Sequence, residues 1–312
     1  MNRRVLVLGS SSLVGSHFVE TFGRNYEVSA IGRRNIFPKR GVVSEFRKVD
    51  FMRKGDLQHA IRTSGADSVV NFAAETDVEK CELERSDFHG RVFITNSLAP
   101  RWIAEACHDS GKSLYQISTD AVFTGRSGPY SEDQRTGSCT RSMSWYGCTK
   151  KFAEAGVRTI LKKPCIVRIA HPYRARFASK TDFARNLLDC YSKGNLYPLF
   201  ADQTISPTLI DDVSLALDFL IKRDATGIFH VASSNATTPF DFGCKLISTF
   251  YDVRDPADVL EKGSVRDFNK KSGKAPRLVN GGLRTTKIAA AGFVPRTFEE
   301  GIEEIHRQSM RT

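Results

Sequence analysis

Tyr146 and Lys150 lie four residues apart in Trp145-Tyr146-Gly147-Cys148-Thr149-Lys150, downstream of Ser118-Thr119-Asp120. On a helix, that spacing puts both side chains on one face, a turn from each other. An ammonium there favours tyrosinate and lowers a phenol pKa that is ordinarily about 10. Such a tyrosine can exchange a proton with a substrate oxygen, and the Thr119 hydroxyl could hold that oxygen beside it. A bare Tyr-x-x-x-Lys pair also arises by chance on surface helices. The elements that would position these residues must therefore carry the argument.

The first such element is Arg4 to Leu8, a short apolar run followed at once by Gly9-Ser10-Ser11-Ser12-Leu13-Val14-Gly15 and by helical periodicity through Phe18, Val19 and Phe22. Strand, glycine turn and helix form a phosphate cradle: Gly9 for the tight turn, Gly15 for close packing, and Ser11 to Val14 at the helix N-terminus. Ser12 stands where a dinucleotide fingerprint usually has its middle glycine. Its hydroxyl could donate to a phosphate, or the site could be looser than usual. A second strand, Glu27 to Ile31, ends in Gly32-Arg33-Arg34, where an acid would suit NAD and an arginine suits a 2′-phosphate. NADPH is the expected cofactor, with NADH the second choice. A third strand, Ser44 to Val49, delivers Asp50-Phe51 towards the adenine. A fourth, Ser68 to Ala74, ends in Phe72-Ala73-Ala74, whose small residues let backbone approach a cofactor.

Phe88, Val92, Asn96, Ala99, Ile103 and Ala106 share one helical stripe, which predicts a long helix covering the sheet with Asn96 on its buried side. A buried amide needs partners, either to organise the site or simply to satisfy itself. Ser113 to Ile117 is a fifth strand that brings Thr119 to its carboxyl end. Tyr146 opens a helix to about Leu161, and Cys165 to Ile169 is a sixth strand. This alternation predicts an α/β fold, a doubly wound parallel Rossmann sheet. Residues 1–170 form the NADP-binding domain, with a return strand near 227–232. Residues 171–226 and 233–312 mainly form a smaller, discontinuous α/β substrate-binding lobe.

The chain has 312 residues, 40% hydrophobic and 26% charged, which is ordinary for a globular protein. No run is long and apolar enough to span a bilayer, and the N-terminus enters a strand-like run without a signal-peptide pattern. The expected location is the cytoplasm, with no membrane partner. Seven cysteines without a Cys-x-x-Cys pair read as reduced thiols, Cys148 among them as a small buried hydrophobe, and no metal site is expected. The net charge of +11 is spread along the chain, and no nucleic-acid motif accompanies it. Phosphate-bearing ligands fit better than nucleic acid.

The chain resembles the extended short-chain dehydrogenase/reductases, and within them the dTDP-4-dehydrorhamnose reductase (RmlD-like) family. The resemblance rests on Asn71-Phe72-Ala73-Ala74, Thr76 to Glu82, Ser118 to Phe123, Tyr146 to Lys150, Asp202-Gln203 with Ser206-Pro207-Thr208, and Arg277, Asn280 and Leu283 ahead of Lys287. It implies NAD(P)H-dependent reduction of a nucleoside-diphosphate 4-keto-6-deoxysugar. Tyr146 would protonate the ketone oxygen, Thr119 would hydrogen-bond it, and Lys150 would hold the nicotinamide ribose. Thr76 and Val78 match positions near the sugar. Departures fall at Ala121 and His171, where the family usually has aromatic residues, and at Ile205, where it has glycine. His171 could instead donate to a sugar or phosphate oxygen. His17 stands where metal-bound dimers carry glutamate, so that metal dimer is not expected, although a homodimer stays open. Two alternatives remain: a nucleotide-sugar epimerase or dehydratase on the same fold, and a non-catalytic NADP-binding regulatory subunit.

Overall fold

The computed structural model describes residues 3–32, 42–177 and 180–311. In chain order its elements begin β1 (Arg4–Leu8), α1 (Leu13–Phe22), β2 (Glu27–Gly32), β3 (Glu45–Lys48), α2 (Lys54–Arg62), β4 (Ser68–Asn71) and α3 (Val78–Leu83). Then come α4 (Arg91–Phe93), a π-helical turn (Ile94–Leu98), α5 (Ala99–Asp109), β5 (Ser113–Thr119), α6 (Trp145–Ile160) and β6 (Cys165–Ile169). The rest comprises β7 (Pro172–Tyr173), α7 (Phe183–Ser192), β8 (Leu199–Phe200), β9 (Thr208–Leu209), α8 (Ile210–Lys222), β10 (Gly227–His230) and α9 (Pro239–Tyr251). It ends with α10 (Pro256–Val259), β11 (Lys262–Gly263), α11 (Val265–Lys271), α12 (Thr286–Ala290) and α13 (Phe298–Ser309).

Two compact units form. The first comprises Met1–Val122, Ser144–Arg168 and Ser214–Phe229; the second comprises Phe123–Met143, Ile169–Val213 and His230–Thr312.

The first unit is built on a seven-stranded sheet of order β10-β6-β5-β4-β1-β2-β3. Leu8 of β1 lies opposite Ile31 of β2 and Asn71 of β4, both in parallel register. Strand order reverses between β1 and β4, which makes the fold doubly wound and opens its ligand crevice at their carboxyl ends. Because helices cover both faces, β1 reads as an uninterrupted apolar run, and Val5 to Leu8 are all buried. Leu6 and Leu8 pack with Leu57 and Ile61 of α2 and with Ile103 of α5.

Three sequence expectations change here. Residues 214–226 join the first unit, not the lobe, because α8 is tied to α1 and to the start of β2. The His17 Nδ1 is 2.8 Å from Ser214 Oγ, and Tyr26 Oη donates to Asp218 Oδ1 at 2.7 Å. Residues 123–143 belong to the second unit, where the Gly128 and Tyr130 N–H groups donate to the Asn280 and Gly282 carbonyls at 3.0 Å each. The expected long helix starts at Arg91 and is interrupted by the π turn. Phe88 lies ahead of it, half-exposed, with its ring against Phe93 and Trp145.

In the second unit, Tyr173, Leu187, Phe242, Leu246 and Ile302 form the core. Two small parallel pairings, β7 with β9 and β8 with β11, brace it. A capping box at Thr297 and Glu300 starts α13.

Candidate active site

The turn after β1 needs both of its glycines. Gly9 has φ +76°, and a Cβ there would lie 2.8 Å from the Ala73 amide nitrogen; one on Gly15 would lie 2.5 Å from the Gly9 carbonyl oxygen. The loop therefore presses its backbone against the segment leaving β4. Ser12 is the N-cap of α1, its Oγ accepting from the Gly15 N–H at 3.0 Å. Ser12 thus serves as a helix cap where the fingerprint usually has glycine. Ser11 precedes it, Leu13 and Val14 open the helix, and Ser10, which the sequence reading passed over, has a buried hydroxyl with no partner among the described residues. A cradle closed to side chains and an orphaned hydroxyl beside a helix N-terminus both suit a pyrophosphate.

Arg33 and Arg34 lie outside the described residues. Asp50 is exposed and its Oδ1 accepts from the Met52 N–H at 3.1 Å, whereas the Phe51 ring is buried in the core beside α2. Strand β4 ends earlier than expected because Asn71 Oδ1 takes the Ala73 N–H at 3.0 Å while its amide donates to Gln116 at 2.9 Å. Phe72 packs on Phe18, and Ala73 and Ala74 remain partly exposed beyond it.

Strand β5 runs to Thr119, two residues further than its apolar run suggests, and α6 begins at Trp145. Ser144 caps α6 by accepting from the Gly147 N–H at 3.2 Å. Thr119 is within hydrogen-bonding reach of the Tyr146 phenol, and its Oγ1 also accepts from the Ala121 N–H at 3.2 Å. One turn along α6, the buried Lys150 donates from Nζ to the Ile117 carbonyl of β5 at 2.8 Å. Thr119, Tyr146 and Lys150 are thus brought together where β5 meets α6.

The electrostatics differ from the expectation that Lys150 lowers the phenol. Burial pushes the Tyr146 pKa up, the Cys81 and Asp120 groups add to the rise, and the Thr119 hydrogen bond opposes it. The residue as a whole is only partly buried. Lys150 is occupied by the Ile117 carbonyl, and burial pushes its own pKa down to about 8, with Glu154 partly offsetting the fall. The phenol is therefore protonated at neutral pH.

Sequence reasoning also missed the base of the site. Glu154, a turn beyond Lys150, accepts from Arg168 Nε at 2.9 Å, from Arg168 Nη2 at 2.7 Å and from Ser118 Oγ at 2.6 Å. This buried bidentate pair locks α6 to β5 and β6. Lys150-x-x-x-Glu154 spacing was its only sequence signal. Asn96, in the π turn, accepts from the Glu75 N–H at 2.8 Å and donates to the Glu75 carbonyl at 2.9 Å and to Thr149 Oγ1 at 3.2 Å. It organises the loop that carries Thr76.

Among the expected substrate contacts, Thr76 is exposed, Val78 opens α3, and Ala121 sits in the short 3₁₀ turn after Thr119. His171 belongs to the second unit, in a left-handed conformation (φ +43°) with its ring edge-on to Phe183. No cluster of three or more metal-ligating side chains occurs among the described residues.

The sequence matches the family described as RmlD substrate binding domain over residues 3–310. The chain belongs to that family. It is 30% identical to a probable low-salt glycan biosynthesis reductase from Haloferax volcanii, over 68% of each chain. It is also 30% identical to the dTDP-4-dehydrorhamnose reductase of Streptomyces griseus, over 75% of this chain and 72% of that one. The dTDP-4-dehydrorhamnose reductase from Bacillus anthracis, solved in complex with NADP, has the same fold. It superposes with a TM-score of 0.79 at 22% identity, over 99% of this chain and 100% of that one.

Proposed function

We propose that this RmlD-family protein is an NADPH-dependent reductase of a nucleoside-diphosphate 4-keto-6-deoxysugar. The observation that carries the reading is the joining of Thr119, Tyr146 and a β5-anchored Lys150 at the carboxyl end of the sheet that also carries the glycine cradle. Named relatives that reduce dTDP-sugars support the substrate class.

NADPH, when bound, supplies the hydride. Gly9, the Ser11 to Gly15 backbone, Ala73, Ala74 and Lys150 would hold it, and Arg33 and Arg34 would meet the 2′-phosphate. Thr119 and Tyr146 take the ketone oxygen between them, which fixes the carbonyl for attack. As negative charge builds on that oxygen, Tyr146 Oη gives up its proton. The phenol arrives protonated and an alkoxide is more basic than tyrosinate, so the transfer is downhill; burial, by raising the phenol, weakens it as an acid, and the Thr119 hydrogen bond offsets part of that cost. Lys150 keeps its position through Ile117, adding positive charge beneath the site. Seven free thiols accord with a reducing compartment, and we place the enzyme in the cytosol.

The test is NADPH oxidation with a panel of nucleoside-diphosphate 4-keto-6-deoxysugars, with products identified by mass. Turnover that disappears in Tyr146→Phe supports the reading. NADPH binding without turnover across the panel overturns it and favours a regulatory subunit.

A further inference from the structure

The Trp145 N–H, the first of helix α6, donates to Glu82 Oε2 at 2.9 Å. Glu82 lies on α3, and its other carboxylate oxygen pairs with Arg85. The first N–H groups of a helix have no intrahelical acceptor, and a carboxylate there answers both the missing bond and the positive end of the dipole. Ser144 already caps the Gly147 N–H, so Glu82 provides a second fastening, from a different element.

Its location gives it consequence. The Trp145 N–H precedes Tyr146 in the chain, and the Tyr146 carbonyl follows it, accepting from Thr149 Oγ1 at 2.8 Å. Thr149 Oγ1 in turn receives Asn96, which grips the Glu75 backbone from both sides. Segment 75–82 is therefore joined to α6 on either side of Tyr146: at Glu75 through Asn96 and Thr149, and at Glu82 directly. Thr76 and Val78 lie between the two attachments.

We propose that Glu82 is a positioning residue, one that holds the Tyr146 phenol and the Thr76–Val78 segment in a common frame. The consequence for turnover rests on the reductase reading above. Without Glu82, the first turn of α6 loses its tie to α3 and the phenol samples positions away from the ketone oxygen. Hydride transfer tolerates little such misplacement, since about 1 Å can cost roughly a hundredfold in rate.

The experiment compares Glu82→Ala, Glu82→Gln and Ile61→Val, the last a mild core truncation in α2 of the same unit. Glu82→Ala is expected to lower kcat about thirtyfold while leaving KM for NADPH within about twofold, because positioning and not cofactor binding is lost. Hydrogen exchange should accelerate about tenfold or more at the Trp145 to Gly147 amides and not in α2. Glu82→Gln, which keeps an acceptor oxygen, should recover most of both effects. Ile61→Val should lower Tm and leave kcat unchanged. Exchange at α6 unchanged in Glu82→Ala, or a kcat loss that merely follows Tm in all three variants, overturns the proposal. Were the wild type to turn over no panel substrate, the reductase reading would fail. The exchange data would still decide whether Glu82 holds the α6 turn.

Discussion

The Glu154 carboxylate holds Arg168 with both oxygens while standing one helical turn beyond Lys150. Both partners of the ion pair are almost fully shielded, with side-chain exposures of 5% and 2%. Breaking one side of such a pair leaves an uncompensated buried charge. Glu154→Gln is expected to destabilise the protein by about 3 kcal/mol or more, whereas Glu154→Leu combined with Arg168→Met should regain most of that loss. Thermal unfolding of the three proteins checks it; equal stability of the single and double variants would contradict it.

Lys150 makes stability depend on pH. Its folded pKa of about 8 lies below the ordinary 10.5, so above about 8 the unfolded chain binds the extra proton. Stability from this group therefore rises as pH rises from about 8 to 10.5, because the cost of burying an ammonium disappears. Lys150→Met should remove that rise. Denaturant unfolding of both proteins across this window measures the difference in slope, and identical slopes would refute the assignment.

Tyr146→Phe should reduce kcat by about a thousandfold or more and leave NADPH affinity within about twofold, since only the proton donor is removed. Thr119→Val should have a smaller effect, about ten- to a hundredfold, because it removes one hydrogen bond to the oxygen and the one that tempers the phenol. Steady-state kinetics with fluorescence titration of NADPH separates the two effects. A Phe variant that still reduces substrate at the wild-type rate would exclude Tyr146 as the acid.

Gly9→Ala and Gly55→Ala should behave oppositely. The first needs a left-handed backbone and drives a methyl group into the Ala73 backbone, so NADPH affinity should fall about tenfold or more. The second adds its methyl to open space in the first turn of α2 and should stabilise by up to about 1 kcal/mol. Calorimetry and cofactor titration on both variants test the pair.

Most strands of the main sheet were legible as short, mainly apolar runs bounded by polar or glycine signals, β3 (Glu45-Phe46-Arg47-Lys48) being the exception; Gly9 and Thr119 stand at the ends of such runs, and Tyr146 and Lys150 were marked by their own helical spacing. What the sequence concealed has a common physical cause. Glu82 and Glu154 act across elements, and a lone carboxylate on a helix carries no mark of its distant partner; Asn96 was legible as a buried amide, but not its partner Glu75. The two-residue strands Pro172–Tyr173, Leu199–Phe200, Thr208–Leu209 and Lys262–Gly263 are too short for any period. Lys150 misled because spacing reports proximity, while burial and the Ile117 carbonyl decide where its charge acts.

The π turn at Ile94–Leu98 sets a limit on how this chain can drift over generations. Such turns carry one residue more than a regular helix, and a one-residue deletion there would restore uniform α-helix. The repaired helix would be the better helix on its own, yet everything on one side of the repair would swing by about 100° relative to the other. Asn96 would leave Glu75, and with it would go the loop bearing Thr76. Length changes that surface loops accept freely are thus closed to this stretch, and an irregularity that weakens the helix locally becomes the feature that selection must keep.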